Sequence, residues 1–207
     1  MDLKGLRHDV LCYYIRSYEE HLMSGTSGNA SAFDPESGRM VITPSGVDCR
    51  KMSGEDLVVT DLQGNVLEGT HKPSSEWRLH AEIYRAFPEA RAVLHTHSCY
   101  ATAFSVVGKE IPEILIEMTV FTDGAVPVSP FAPAGSEQVA KNTAATLRGR
   151  HSCLMQNHGV TAFGSSMEEA YVRAVYVEDA AKICSFAMAV GTPRTIAEAS
   201  GSGCASL

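Results

Sequence analysis

The chain has 207 residues, of which 44% are hydrophobic and 20% charged. That balance suits one domain able to bury roughly 70% of its unfolded surface, and it excludes a disordered or fibrous chain. Lys and Arg number 17 against 24 Asp and Glu, a net charge of −7. This argues against nucleic acid as the main partner, since phosphate binding needs a basic face, and no apolar run approaches the roughly 20 residues of a membrane span.

In chain order, Leu3, Leu6, Val10, Leu11, Tyr14, Ile15, Tyr18 and Leu22 recur at helical steps and predict an amphipathic helix from 3 to about 23. Short strands follow at 29–33, 40–43, 57–60 and 65–67, separated by turns rich in Gly, Asp, Pro and Ser. A second helix is predicted from Ser75 to about Phe87, with Ser74 or Ser75 as its N-cap. Then come a buried strand at 90–96, a helix at 100–107, a strand at 125–128 and a helix at 136–148. Strands at 153–156 and 159–163 flank His158, and the longest helix, 167–189, carries a face of small residues. The pattern predicts one domain over residues 1–190, followed by a small-residue tail at 191–207 that is expected to be flexible.

The six cysteines stand singly, with no CxxC pair, which excludes a structural zinc ribbon. MDLKGLRHDV at the N-terminus has no apolar core. The expectation is a cytoplasmic protein with free thiols.

His95-Thr96-His97 closes an apolar strand, where alternate side chains share a face, so both imidazoles can reach one ion. Zinc needs at least one more ligand, and His158, before Gly159 and between two strands, is the best candidate. Three histidines leave a position open for substrate, as a catalytic site requires. His8, His21 and His151 are expected to be solvated, and His71 is a weaker candidate for lining the site. His80 lies four residues after Glu76, on the same helix face; it either orients Glu76 or packs, and packing is the expectation. Three turns, 24–29, 43–46 and 73–76, offer small residues, hydroxyls and free backbone N–H groups, which together suggest a phosphate cradle. It is not a Walker loop, because no Gly-Lys-Ser or Gly-Lys-Thr follows.

Taken in order, Gly25-Thr26-Ser27-Gly28-Asn29, Thr43-Pro44-Ser45-Gly46, Pro73-Ser74-Ser75-Glu76-Trp77, His95-Thr96-His97 and Asn157-His158-Gly159 resemble the class II, zinc-dependent aldolase family over nearly the whole chain. The resemblance implies a three-layer α/β/α sandwich around a mainly antiparallel sheet, and a homotetramer with active sites near subunit contacts. It implies that His95, His97 and His158 hold Zn2+ and that Glu76 is the acid/base. Thr26, Gly28, Asn29, Ser45, Gly46, Ser74 and Ser75 would bind the phosphate of a sugar phosphate. The implied reaction is reversible cleavage of a ketose 1-phosphate, of the fuculose or 5-deoxypentulose kind, to dihydroxyacetone phosphate and a small aldehyde.

Fuculose-phosphate aldolases carry a tyrosine where this chain has Ile116, and a second near the C-terminus that is missing here. Glu117 or Tyr100 would then take over the proton on the aldehyde oxygen, and the alternative makes Glu117 a surface or interface charge. Other members of the family are methylthioribulose-1-phosphate dehydratases, pentulose-phosphate 4-epimerases and decarboxylases of oxo-acid phosphates. A non-catalytic, adducin-like member would lack the histidines.

Overall fold

A computed structural model describes residues 3–200. Its centre is an eight-stranded sheet: β1 Asn29–Asp34, β2 Arg39–Ile42, β3 Val58–Thr60, β4 Val66–Glu68, β5 Ala92–Thr96, β6 Val128–Ser129, β7 Ser152–Met155 and β8 Gly159–Gly164. The order is β4-β3-β2-β1-β5-β8-β7-β6, and every pairing is antiparallel except β6 with β7. The helices are α1 Leu3–Glu19, α2 Trp77–Ala86, α3 Cys99–Val106, α4 Ile116–Phe121, α5 Glu137–Thr146, α6 Met167–Val190 and α7 Ile196–Ser200.

Strand alternation explains the layers. In β5, Ala92 and Leu94 join the core under α1 and α6, while Val93 turns to the core under α2 and α5. Ala162 and Phe163 of β8 divide in the same way. Val160 and Leu154 join a third cluster with α3 and α6. The result is the expected α/β/α sandwich around a mainly antiparallel sheet. The small face of α6 (Ala170, Ala174, Val177, Ala181, Cys184) is fully buried and lets that helix lie close to the strands. Ser166 caps α6 by accepting from Glu169 N–H at 3.1 Å, and the Glu169 carboxylate accepts from Ser165 N–H at 2.7 Å.

Several boundaries differ from expectation. α1 stops at Glu19 because His21 adopts a left-handed φ of 61°, and Leu22 N–H closes the end on Ser17 O at 2.9 Å. β6 starts at Val128 rather than 125: Val126 is spent on a bridge to Ile111, so pairing with β7 begins only after Pro127. α4 was not signalled by its sequence. It is a six-residue stretch with one buried side chain, Met118, and Phe121 stacks on Tyr176 at 4.1 Å. Part of the expected flexible tail, 191–207, is helical. Thr195 and Glu198 cap α7 reciprocally, at 2.8 and 3.2 Å, and Ile196 N–H reaches Glu113 O. Residues 201–207 of that tail, with Cys204, lie outside the described residues. The five described cysteines are free thiols, and no described helix is long and apolar enough to cross a membrane.

Candidate metal and acid/base centre

β1 begins where β2 and β5 end and where β8 starts, because these neighbours run antiparallel. That shared edge gathers the N-terminus of α2, the β7–β8 turn and the loop before β1. Asn29 stands opposite His95 in the register, and His97 N–H is held by Leu22 O at 3.1 Å. The turns 43–46 and 72–75 are tied together there by Ser45 N–H to Lys72 O at 2.9 Å and Ser74 N–H to Thr43 O at 3.0 Å.

His95 is fully buried, and its Nδ1 lies 2.8 Å from Val160 O, which takes the ring's Nδ1–H and leaves Nε2 facing the cluster. His95 Nε2 is 3.0 Å from His97 Nε2 and 3.1 Å from Glu76 Oε2. His158 Nε2 is 3.4 Å from Glu76 Oε1. His158 enters from the β7–β8 turn, which Asn157 makes with a left-handed φ of 55°. Gly159 is required beside it: a Cβ there would stand 2.3 Å from Thr96 O and 3.2 Å from His95 Cε1.

One ligand atom from each of Glu76, His95, His97 and His158 lies within 4.8 Å of the others. A tetrahedral cation about 2.1 Å from each ligand spaces its ligands about 3.4 Å apart, and the separations of 3.0 Å for His95–His97, 3.1 Å for His95–Glu76 and 3.4 Å for His158–Glu76 are of that size. Two further observations favour that chemistry. Two imidazole Nε2 atoms face each other, and the buried Glu76 Oε1 has no hydrogen-bond partner.

Glu76 itself is 6% exposed and stands at the N-cap of α2, not inside its first turn as expected. Neither Ser74 nor Ser75 is the expected N-cap; Ser74 instead shapes the turn before the helix, its Oγ accepting from Glu76 N–H at 3.2 Å. Burial pushes the Glu76 carboxyl up, but the adjacent His95 and His158 and the hydrogen bonds from His95 and Asn29 outweigh it and hold it well below the usual carboxylate range. Burial pulls His95 down, and Glu76 overcomes this and raises it. Burial and the neighbouring His95 and His158 lower His97 to about 4, and burial and His95 lower His158 as well.

The candidate phosphate residues share this edge. Thr26, Ser45, Gly46 and Ser75 are exposed, and Gly28 is half-buried with a left-handed φ of 77°. A Cβ at Gly28 would strike Met23 and come within 2.8 Å of His95 O. Asn29 and Ser74 are buried. Asn29 donates from Nδ2 to Glu76 Oε2 at 2.9 Å, so its side chain serves the carboxylate directly.

Tyr100 and Glu117 are not brought to the cluster within this chain. The Tyr100 ring lies against Phe186 and Lys182 of α6, and its N–H is held by Glu178 at 3.0 Å. Glu117 is exposed on α4. His8 and His21 are exposed, as expected. His151 is instead half-buried against Asp123 at 2.7 Å, and His71 pairs with Asp56 at 3.1 Å. His80 does more than pack: it is hydrogen-bonded to Asn29 and Ser31. Its signal in the sequence was polar residues at positions whose periodicity demands burial, namely 76 at the N-cap of α2, 80 and 84 within it, and 29 and 31 on β1.

A family-wide sequence model described as "Class II Aldolase and Adducin N-terminal domain" matches residues 8–185. The chain belongs to the class II aldolase family. It is 32% identical over 198 residues to the 5-deoxy-D-ribulose 1-phosphate aldolase of Bacillus thuringiensis serovar kurstaki, covering 96% of this chain and 92% of that one. It is 33% identical to the L-fuculose phosphate aldolase of Escherichia coli K12, over 83% of this chain and 79% of that one. Among solved structures, an L-fuculose 1-phosphate aldolase superposes with a TM-score of 0.89 at 34% identity, covering 93% and 90% of the two chains. This class II aldolase is an enzyme of the aldehyde-lyase type.

Proposed function

We propose that the protein cleaves a ketose 1-phosphate, reversibly, to dihydroxyacetone phosphate and a small aldehyde, using one zinc ion per chain. The observation that carries this reading is the Glu76 carboxylate, 3.1 Å from His95 and 3.4 Å from His158, held by an amide beside three converging imidazoles. His95, His97 and His158 are the proposed ligands, and an all-imidazole set suits zinc among divalent ions. When bound, the ion supplies Lewis-acid stabilisation of negative charge developing on substrate oxygen.

The chain's own residues do the rest. Glu76 moves the proton at the substrate carbon that becomes C3 of dihydroxyacetone phosphate, delivering it in cleavage and removing it in synthesis. Asn29 Nδ2 holds the carboxylate in place for that transfer. The turns bearing Thr26, Gly28, Ser45, Gly46, Ser74 and Ser75 bind the phosphate through hydroxyls and backbone N–H groups, and so fix the reacting end of the sugar.

The 5-deoxypentulose kind of substrate is the better fit. The resemblance aligns Ile116, 73% exposed on α4, with a tyrosine of fuculose-phosphate aldolases, and an apolar group in that place would suit a less polar aldehyde. The similarity to a relative named for 5-deoxy-D-ribulose 1-phosphate supports the same choice. Exposed Ile116, Val120, Phe131 and Phe186 support burial between subunits, in a homotetramer whose neighbour places Glu117 or Tyr100 near the aldehyde. A cytoplasmic location agrees with the free thiols.

The test is a panel of ketose 1-phosphates with coupled detection of dihydroxyacetone phosphate, repeated after chelation. Triose phosphate release that disappears with the metal is the expected result. Release of water, carbon dioxide or an epimer without triose phosphate would refute the aldolase reading in favour of a dehydratase, decarboxylase or epimerase.

A further inference from the structure

Behind Glu76 runs a buried chain of polar side chains that the reaction as described does not use. Glu76 at the N-cap of α2 and His80 and Tyr84 within it recur at four-residue steps, and Asn29 and Ser31 alternate on the facing side of β1. Each is at most 6% exposed. The contacts interlock: Glu76 Oε2 with Asn29 Nδ2 at 2.9 Å, Asn29 Oδ1 with His80 Nε2, His80 Nδ1 with Ser31 Oγ at 2.6 Å, and Ser31 Oγ with Tyr84 Oη at 2.7 Å.

The proton positions follow from the charged end. An ionised carboxylate only accepts, so Asn29 must turn its NH2 group to Glu76 and its carbonyl oxygen to His80. His80 Nε2 must then carry the hydrogen, and Nδ1 must accept. The Ser31 hydroxyl therefore donates to His80, and the single Tyr84 hydroxyl hydrogen is shared between Ser31 Oγ and the Ser31 backbone carbonyl, which lies 3.0 Å from Tyr84 Oη. Burial and nearby His95 hold the His80 pKa down at about 3, and the neutral ring has one donor and one acceptor for its two partners.

We propose that His80 is a positioning residue: as the Nε2–H tautomer it donates to Asn29 Oδ1 and so locks the Asn29 amide with its NH2 group on Glu76. Without that donor the amide is free to turn over and face Glu76 with an oxygen, repelling the carboxylate. A displacement on the order of 1 Å at the proton-transfer group is enough to cost about 100-fold in rate.

Two arms test this. In ¹⁵N-labelled protein, the imidazole nitrogens of His80 should show a protonated Nε2 and a bare Nδ1; a protonated Nδ1, or rapid averaging of the two tautomers, would overturn the assignment whatever the activity. The second arm rests on the role proposed for Glu76. It measures solvent deuterium entering the reacting carbon of dihydroxyacetone phosphate in zinc-loaded enzyme. There the C–H bond breaks, the proton passes to Glu76, the electron pair moves to the carbonyl oxygen, and a deuteron returns from the exchanged carboxyl.

His80→Asn keeps an amide near the Nδ1 position and loses reach to Asn29; His80→Gln places an N–H near the Nε2 position. We expect His80→Asn to slow exchange about 10- to 100-fold, with half-saturation within about threefold of wild type and zinc content unchanged. His80→Gln should recover to within about fivefold. Equal exchange by wild type and His80→Asn, or no recovery with Gln, would refute positioning alone. A wild-type enzyme with no exchange at all would refute the Glu76 role, and the positioning role with it.

Discussion

Gly159→Ala tests whether the backbone beside the histidines is as tightly packed as its geometry indicates. The added Cβ would stand 2.3 Å from Thr96 O, 3.2 Å from His95 Cε1 and 3.4 Å from His97 Cδ2. Relieving the contact with a backbone oxygen requires movement of about 1 Å, and neither neighbour yields easily: Thr96 is fully buried within β5 and His95 is tied to Val160 O. Overpacking of this kind costs about 1–3 kcal/mol. For a chain of this size each kcal/mol lowers Tm by about 2–4 °C. The same movement should spoil ligand geometry and weaken zinc binding at least about tenfold. Thermal melting in chelator and competitive zinc titration read the two effects separately. Gly54→Ala is the control, since a Cβ there meets nothing within 4 Å, and it should stay within about 0.5 kcal/mol of wild type. A Gly159→Ala protein with wild-type melting and wild-type zinc affinity would refute the reasoning.

Glu76→Gln keeps the shape and removes the proton carrier, so kcat should fall about 10²- to 10⁴-fold with zinc still bound; full activity would show that another group moves the proton. His97→Ala should weaken zinc binding more than about 100-fold, whereas His71→Ala, paired with Asp56 away from the cluster, should leave metal content unchanged when measured by elemental analysis. In chelator, stability should fall as pH drops below 6.5. His80, with its folded pKa lowered to about 3, stays neutral in the native protein while the unfolded chain takes up a proton. The slope from His80 alone is about 1.4 kcal/mol per pH unit. His97, lowered to about 4, adds in the same direction. His95, raised instead, contributes stability already complete below pH 6.5 and lost as pH rises through its folded pKa. Urea titrations at pH 7.5, 6 and 5 measure the trend, and constant stability across them would contradict it.

Much of this protein was legible from periodicity. The alternation in Ala92–Thr96 fixed which residues face which layer, and so placed His95 and His97 at one edge. The small residues of α6 correctly announced close packing on the sheet. Short elements were harder to read, because a few residues carry little periodicity. In α4 only Met118 is buried, and β-branched Ile116, Thr119 and Val120 argue locally against a helix. α7 did carry a readable signal, the Thr195 and Glu198 spacing of a capping box. The relay through His80 was hidden for a different reason: its contacts join β1 to α2 across 49 to 53 residues of chain. A single histidine on a helix face reads as packing until the facing strand is known to present Asn29 and Ser31.

The most direct measurement is anomalous diffraction at the zinc edge from crystals of the zinc-loaded enzyme. One peak per chain, about 2.0–2.1 Å from Nε2 of His95, His97 and His158 with the Glu76 carboxylate beside it, is the predicted result. A peak elsewhere, or imidazoles turned away from a common centre, would contradict the metal site and the proton transfer assigned beside it.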